Sequence, residues 1–321
     1  MKTVGLVMSA ILALGITGAA AQQITYPTKN ISVIIPKNPG GGTDTSTRLT
    51  LEYAKQYLPS GIIFIPENKP AGNGVTGLIE LAHAKPDGLT LGTTTVELAM
   101  FPHQKKAPVT FANFTPLVAQ IADPCAVVVR ADSAYKTLQE LIDAAKAEPG
   151  KIQVANSGAG AIYDLATSNI EKKFGVKFKH IPFNEGTGPS IAALVGGHVD
   201  AVITTPGSAK SQVDAGALKI LGVMDDHRFA LFPDVPTFAE ALGADAGVAM
   251  RAWAAIAAPA DLDPAAKEQL VAAFKAVLAN PEYQEAMKKQ GIVPGTLVGD
   301  DVAKMMQADH ELYKELIAEA K

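Results

Sequence analysis

The chain has 321 residues, with 28 Lys and Arg against 32 Asp and Glu, a net charge of −4 and 48% hydrophobic residues. That length accommodates two domains, and the mild acidity excludes a general attraction to nucleic acid or anionic lipid, so any anion binding is local. A single cysteine, Cys125, excludes an internal disulfide, and its surroundings, CAVVV, make it a core residue.

Lys2, the apolar stretch 4–21 and Ala19-Ala20-Ala21 before Gln22 read as a signal peptide with an A-x-A cleavage site, so residues 1–21 are expected to be removed. The expected product starts at Gln22, is exported, and is soluble in the periplasm. No cysteine stands at the cleavage point to carry a lipid, and no second apolar run is long enough for an anchor.

The run ISVII at 31–35 suits a strand buried on both faces. Pro36 and Pro39 stop it, Gly40, Gly41 and Gly42 allow a sharp turn, and helical spacing begins near Thr43 or Asp44. A strand, a glycine turn and a helix start aim unpaired N–H groups and a positive dipole end at one spot, which suits a carboxylate or phosphate. A βα turn whose glycines serve geometry alone reads equally well.

Beyond it, strands are expected at 62–65 and 89–93, with a helix at 73–84 between them. The apolar runs 118–121 and 126–129 read as separate strands split by Asp123-Pro124. Such alternation implies right-handed crossovers and a largely parallel sheet. A second cycle opens with the capping box Thr137–Glu140. A strand at 152–155, the loop from Asn156 to Ala161 and a helix from about Tyr163 follow, then strands at 178–181, 199–204 and 218–223. Two strand–glycine-loop–helix units, one per domain, are thus placed to face each other across a cleft. The end of the chain is helical, with starts at Asp263-Pro264 and Asn280-Pro281 and a last helix from about Asp300, whose Met305 and Met306 pack inward.

No pattern argues for catalysis, and no metal or cofactor is expected. Gly72 to Gly77 matches G-x-G-x-x-G, but five residues separate it from its strand, so a glycine-rich helix start is the better reading. Nucleophile elbow and P-loop motifs are absent, and the six histidines are scattered without metal-ligand spacing. Arg130 ends an apolar strand and Arg251 stands within VAMRAW. Each needs a partner, either a ligand carboxylate or an internal acid. Trp253 belongs to the core or to the rim of the cleft.

Taken in order, IIPKNPGGGTDTSTR, ENKPAGNG at 67–74, KPDG at 85–88, SGAG at 157–160, IPF at 181–183, GGHVDA at 196–201 and FPDVPTFAEAL at 232–242 closely resemble one family. The chain is similar throughout to the extracytoplasmic solute receptors of tripartite tricarboxylate transporters, the Bug-type receptors. The resemblance implies an α/β, two-domain type II periplasmic-binding-protein fold, with mixed sheets flanked by helices and a cleft between the domains. Domain I is expected to comprise 22–124 and 225–321, and domain II 125–224, with crossing points near 123–125 and 223–226.

The implied role is capture of a small carboxylate by domain closure and delivery to membrane permease subunits, by a monomer that is not an enzyme and uses no cofactor. Contacts are implied from Pro39, Gly40, Gly41, Gly42 and Thr43, from Thr93, Thr94 and Thr95, and from Asn156, Ser157, Gly158, Gly160 and Ala161. Thr204 and Arg251 complete the candidate set. Asp44 is expected to brace its loop rather than touch an anion. Relatives often carry S-x-G-x-G-S in the second loop, where this chain has Asn156 and Ala161, and the segment NEGTGPS after Phe183 is longer than usual. A ligand-sensing protein for a signalling partner, or an exported hydrolase, are the alternatives.

Overall fold

The structure is a computed structural model that describes residues 26–27, 29–72, 74–104, 107–183 and 186–319. The expected signal peptide lies outside the described residues. So do Asn184 and Glu185 of the long segment after Phe183.

The first half alternates β1 (Ile31–Ile35), α1 (Gly42–Ala54), β2 (Phe64–Asn68), α2 (Val75–Ala82), β3 (Thr90–Thr95), α3 (Glu97–Gln104) and β4 (Phe114–Arg130). The second cycle is α4 (Leu138–Ala147), β5 (Gln153–Asn156), α5 (Ile162–Phe174), β6 (Lys179–Pro182), α6 (Thr187–Val195), β7 (Ala201–Thr204), α7 (Pro206–Asp214) and β8 (Leu218–Met224). After it come α8 (Phe238–Leu242), β9 (Arg251–Pro259), α9 (Pro264–Ala279), α10 (Pro281–Lys289) and α11 (Asp300–Glu319).

Nine strands form one sheet in the order β2-β1-β3-β9-β4-β7-β5-β6, with β8 also paired to β4. The sheet is mixed rather than largely parallel. β1 pairs in parallel with β2 and β3, and β5 with β6 and β7, whereas β3–β9, β4–β9, β4–β7 and β4–β8 are antiparallel. Asp123-Pro124 does not split β4: the strand runs 17 residues without a break. Proline is tolerated because the ladder changes partner there. Pro124 is the last residue facing β9, and Cys125 is the first facing β8, its N–H reaching the Met250 carbonyl at 2.7 Å.

β4 therefore links the two halves as one continuous rod. Its Leu117 and Val118 are buried in one core cluster and its Val127 and Val128 in two others, each contributing about 1.5–3 kcal/mol of apolar burial. The expected proline starts hold: Asp263 caps α9 through the N–H groups of Ala265 and Ala266, and Asn280 caps α10 through those of Glu282 and Tyr283. At α4 Thr137 accepts from Glu140 N–H, but the Glu140 carboxylate reaches Lys136 N–H, so the reciprocal half of the box closes one residue early. Cys125 is fully buried, and Met305 and Met306 pack inward.

Candidate ligand-binding site

A cleft of about 660 Å³ opens between the two halves. Gly40, Gly42 and Thr43 reach it from the start of α1, Ser157 and Tyr163 from the start of α5, and Gly186 and Thr187 from the start of α6. Helix α7 lines the same wall through Thr205, Gly207, Ser208 and Lys210. Four helix N-termini thus border one cavity.

The starts of α1 and α5 share one construction. Gly41 and Ala161 are their N-caps, with φ/ψ of −77°/167° and −79°/171°, and neither offers a side-chain cap bond. Without a capping oxygen, the first-turn N–H groups remain donors for something else. The residue before each cap is a glycine with positive φ, Gly40 at 79° and Gly160 at 69°, a conformation a side chain disfavours.

Each loop is held by the acid at the third helical position. Asp44 Oδ2 accepts Gly40 N–H at 2.9 Å, while its Oδ1 takes Arg48 Nε and Asn68 Nδ2, both at 2.9 Å. Burial raises the Asp44 pKa, but the Gly40 N–H, the Asn68 amide and Arg48 outweigh it, so the carboxyl stays below its usual value. Asp164 Oδ2 accepts Gly160 N–H at 2.7 Å, and its Oδ1 takes Asn156 Nδ2 at 2.9 Å and His180 Nδ1 at 2.6 Å. The Asp164 bond raises the His180 pKa above its ordinary value, helped by Glu171. Asp44 is thus a brace, as expected.

Of the sequence candidates, Gly40, Gly42, Thr43 and Ser157 line the cleft, and Pro39 and Gly41 lie exposed beside them. Thr93, Thr94 and Thr95 are buried under the first loop. The Thr93 hydroxyl meets Thr47 Oγ1 at 2.9 Å, and Thr94 Oγ1 donates to the Ala255 carbonyl at 3.2 Å. Asn156 is fully buried and spends both amide ends on its own loop, on Asp164 and on Gly158 N–H at 3.0 Å. Gly158, Gly160 and Ala161 shape that loop, and the Gly160 carbonyl accepts Gln104 Nε2 of α3 at 2.6 Å, tying the halves together.

Thr204 is buried beneath the cleft with its hydroxyl unpartnered. Arg251 is half-buried where β9 begins, and its charge acts on Asp309, an internal acid. Arg130 pairs with Asp132 at the surface, at 2.5 Å.

Trp253, expected in the core or at the rim of the cleft, is buried and lines it, whereas sequence reasoning missed Asp123, Tyr163, the start of α7 and the end of α10 with the turn after it. Thr205-Pro206 carried the same cap-then-proline signal as Asp263-Pro264, and Thr205 caps α7 through Ser208 N–H. Trp253 is buried at the cleft wall, its Nε1 donating to Asp309 Oδ2 at 2.6 Å. Across the cleft Gly207 lies against Gly291, where a Cβ on Gly207 would overlap the Gly291 carbonyl. His103 and His310, far apart in sequence, meet at 3.2 Å away from this wall. No group of three or more His, Cys, Asp or Glu suited to a metal occurs among the described residues.

Residues 47–321 match the model of the tripartite tricarboxylate transporter family receptor. The chain belongs to this receptor family. It is 34% identical over 289 residues to a UPF0065 protein in the gbd 5′ region of Cupriavidus necator, covering 89% of this chain and 86% of that one. A ligand-free TctC solute-binding protein from Polaromonas superposes with a TM-score of 0.81 at 31% identity, over 92% of this chain and 100% of that one. MatC from Rhodopseudomonas palustris, solved with bound malate, superposes at 0.74 with 27% identity, over 91% and 100% of the two chains. The family is one of solute receptors, not enzymes, and the mixed α/β architecture is theirs.

Proposed function

We propose that the protein is an extracytoplasmic receptor that captures a small organic carboxylate in the cleft and hands it to the membrane subunits of a tripartite tricarboxylate transporter. The observation that carries this reading is the pair of helix starts, α1 and α5, each without a side-chain cap and each held by its own acid at the mouth of the same cavity. Such donors suit carboxylate oxygens. The bound malate of MatC supports that chemistry.

Export by removal of residues 1–21 places the receptor in the periplasm. Residues 22–124 with 225–321 act as one domain and 125–224 as the other, a division supported by the change of β4 partners between Pro124 and Cys125. A monomer closing on its ligand makes both sets of contacts only when shut, so the ligand favours the shut state. Among the described residues no helix is long and apolar enough to cross a membrane.

Thermal unfolding of the 22–321 chain against malate, succinate, citrate and benzoate tests the reading. A true ligand at a hundred times its Kd adds about 2.7 kcal/mol to the folded state. No shift with any carboxylate, at millimolar concentration, overturns it.

A further inference from the structure

Asp123 is the most isolated acid of the cleft. It stands in β4 opposite Ala252 of β9, one residue before the strand changes partners. Only 4% of it is exposed, yet it lines the cavity, and its Oδ1 has no hydrogen-bond partner. Its Oδ2 lies beside Gly207, where α7 begins.

Among the described residues no cation pairs with it. Lys210 of α7 lines the same cleft but pairs with Asp214 at 2.6 Å, and Lys289, the last residue of α10, is exposed. Arg251 stands opposite Pro124 and acts on Asp309. Tyr163 of α5, on which Cys125, Asp123 and Glu97 all act, has its phenol pushed up by burial and stays neutral. A buried carboxylate without partner or counter-charge is costly, so the group keeps its proton. Burial pushes its pKa up to about 8.

We propose that Asp123 is a specificity-determining residue that donates its carboxyl O–H to a carboxylate oxygen of the bound solute at the floor of the cleft. The inference rests on the carboxylate reading above and adds to it the partner that reads one end of the ligand. An O–H bonded to an ionised oxygen is roughly twice as strong as a neutral pair, so the acid form selects for a ligand that brings its charge to this point. Losing the proton replaces a donor by a second negative charge facing the ligand. Affinity then falls as pH rises past the group's pKa, by up to about tenfold per pH unit.

Isothermal titration calorimetry with the tightest binder among malate, succinate, citrate and benzoate, from pH 6.5 to 9.5, tests this on three proteins. Asp123→Asn keeps a neutral donor of the same shape, so it should bind within ~3-fold of the parent at pH 6.5. It should also lose the parent's decline at high pH. Any contribution from His180 persists in both proteins, so the difference between their profiles belongs to Asp123. Asp123→Ala should bind about tenfold to a hundredfold more weakly at pH 6.5. Binding by Asp123→Asn as poor as by Asp123→Ala overturns the proposal and makes the residue an ionised acceptor. Identical affinities and parallel profiles in all three also overturn it, as a group that never touches the ligand. If Asp123→Ala fails to fold, the Asp123→Asn profile decides alone. Failure of the parent to bind any of the four acids is a separate result, which removes the carboxylate reading and this inference with it.

Discussion

Asp44 and Asp164 occupy the same place in two different helices: each is the third helical residue, and each accepts the N–H of the glycine four positions before it, at 2.9 and 2.7 Å. Below them the likeness continues. Thr47 and Thr167 are both fully buried and return their hydroxyls to the carbonyls of Thr43 and Tyr163, at 2.7 and 2.9 Å. The cleft is therefore built from one loop design used twice. The second residue of each helix, Thr43 in one and Tyr163 in the other, faces the cavity.

Removing one brace should cost more than a surface acid would. Asp44→Ala removes the acceptor of Gly40 N–H and one acceptor each of Arg48 and Asn68 and should lower stability by about 1–3 kcal/mol, read by chemical denaturation. Because its pKa is depressed in the folded protein, the Asp44 contribution is present above the ordinary carboxylate range and lost as pH falls through the folded value. An equal loss at pH 3 and pH 7 would contradict this.

Gly42→Val separates binding from folding. The glycine has an ordinary φ, and a Cβ there meets nothing within 4 Å, so the side chain fits but projects where it lines the cleft. The melting temperature should move little while affinity for the best carboxylate drops at least tenfold, a loss of ~1.4 kcal/mol. Intact affinity with a collapsed melting temperature would make the loop purely architectural.

Gly207→Ala acts on the approach of the two halves rather than on the ligand. Its Cβ would overlap the Gly291 carbonyl, so the variant has to hold α7 away from the turn at 290–292. Overpacking of this kind costs about 1–3 kcal/mol. Small-angle scattering should show a larger radius of gyration with ligand than the parent has, and calorimetry a weaker affinity. A variant that compacts on binding as the parent does would show that the contact is no constraint.

Asp123→Asn should also change how unliganded stability depends on pH. The raised pKa means that the folded protein holds a proton the unfolded chain releases near pH 4, so stability falls between about pH 4 and about pH 8. The Asn variant should lose that part of the slope, at most about 1.4 kcal/mol per pH unit. Parallel curves for the two proteins would contradict it.

The glycine turn after β1, the capped helices and the buried methionines were legible because each depends on neighbours in sequence. β9 was missed: Ala252, Ala254, Ala255, Ala257 and Ala258 lack the branched or aromatic side chains that announce a strand, and only its place between β3 and β4 makes it one. Asp123-Pro124 read as a break because local chemistry favours a turn there, whereas the partner change that makes proline harmless is a tertiary fact. In the site, the resemblance implied that Thr93 and Asn156 face a ligand. Their hydroxyl and amide groups bond within the protein and hold the loops, while Thr43, Ser157, the start of α7 and Asp123 line the cleft.

The two braces differ in one atom group, and that difference separates the lobes. Asp44 leans on the Arg48 guanidinium, whereas Asp164 leans on the His180 imidazole. The ion pair of the second loop is fully present below the ordinary histidine range and lost as pH rises through the raised folded value. One jaw of the receptor thus slackens in alkaline surroundings, and the other is braced without a histidine.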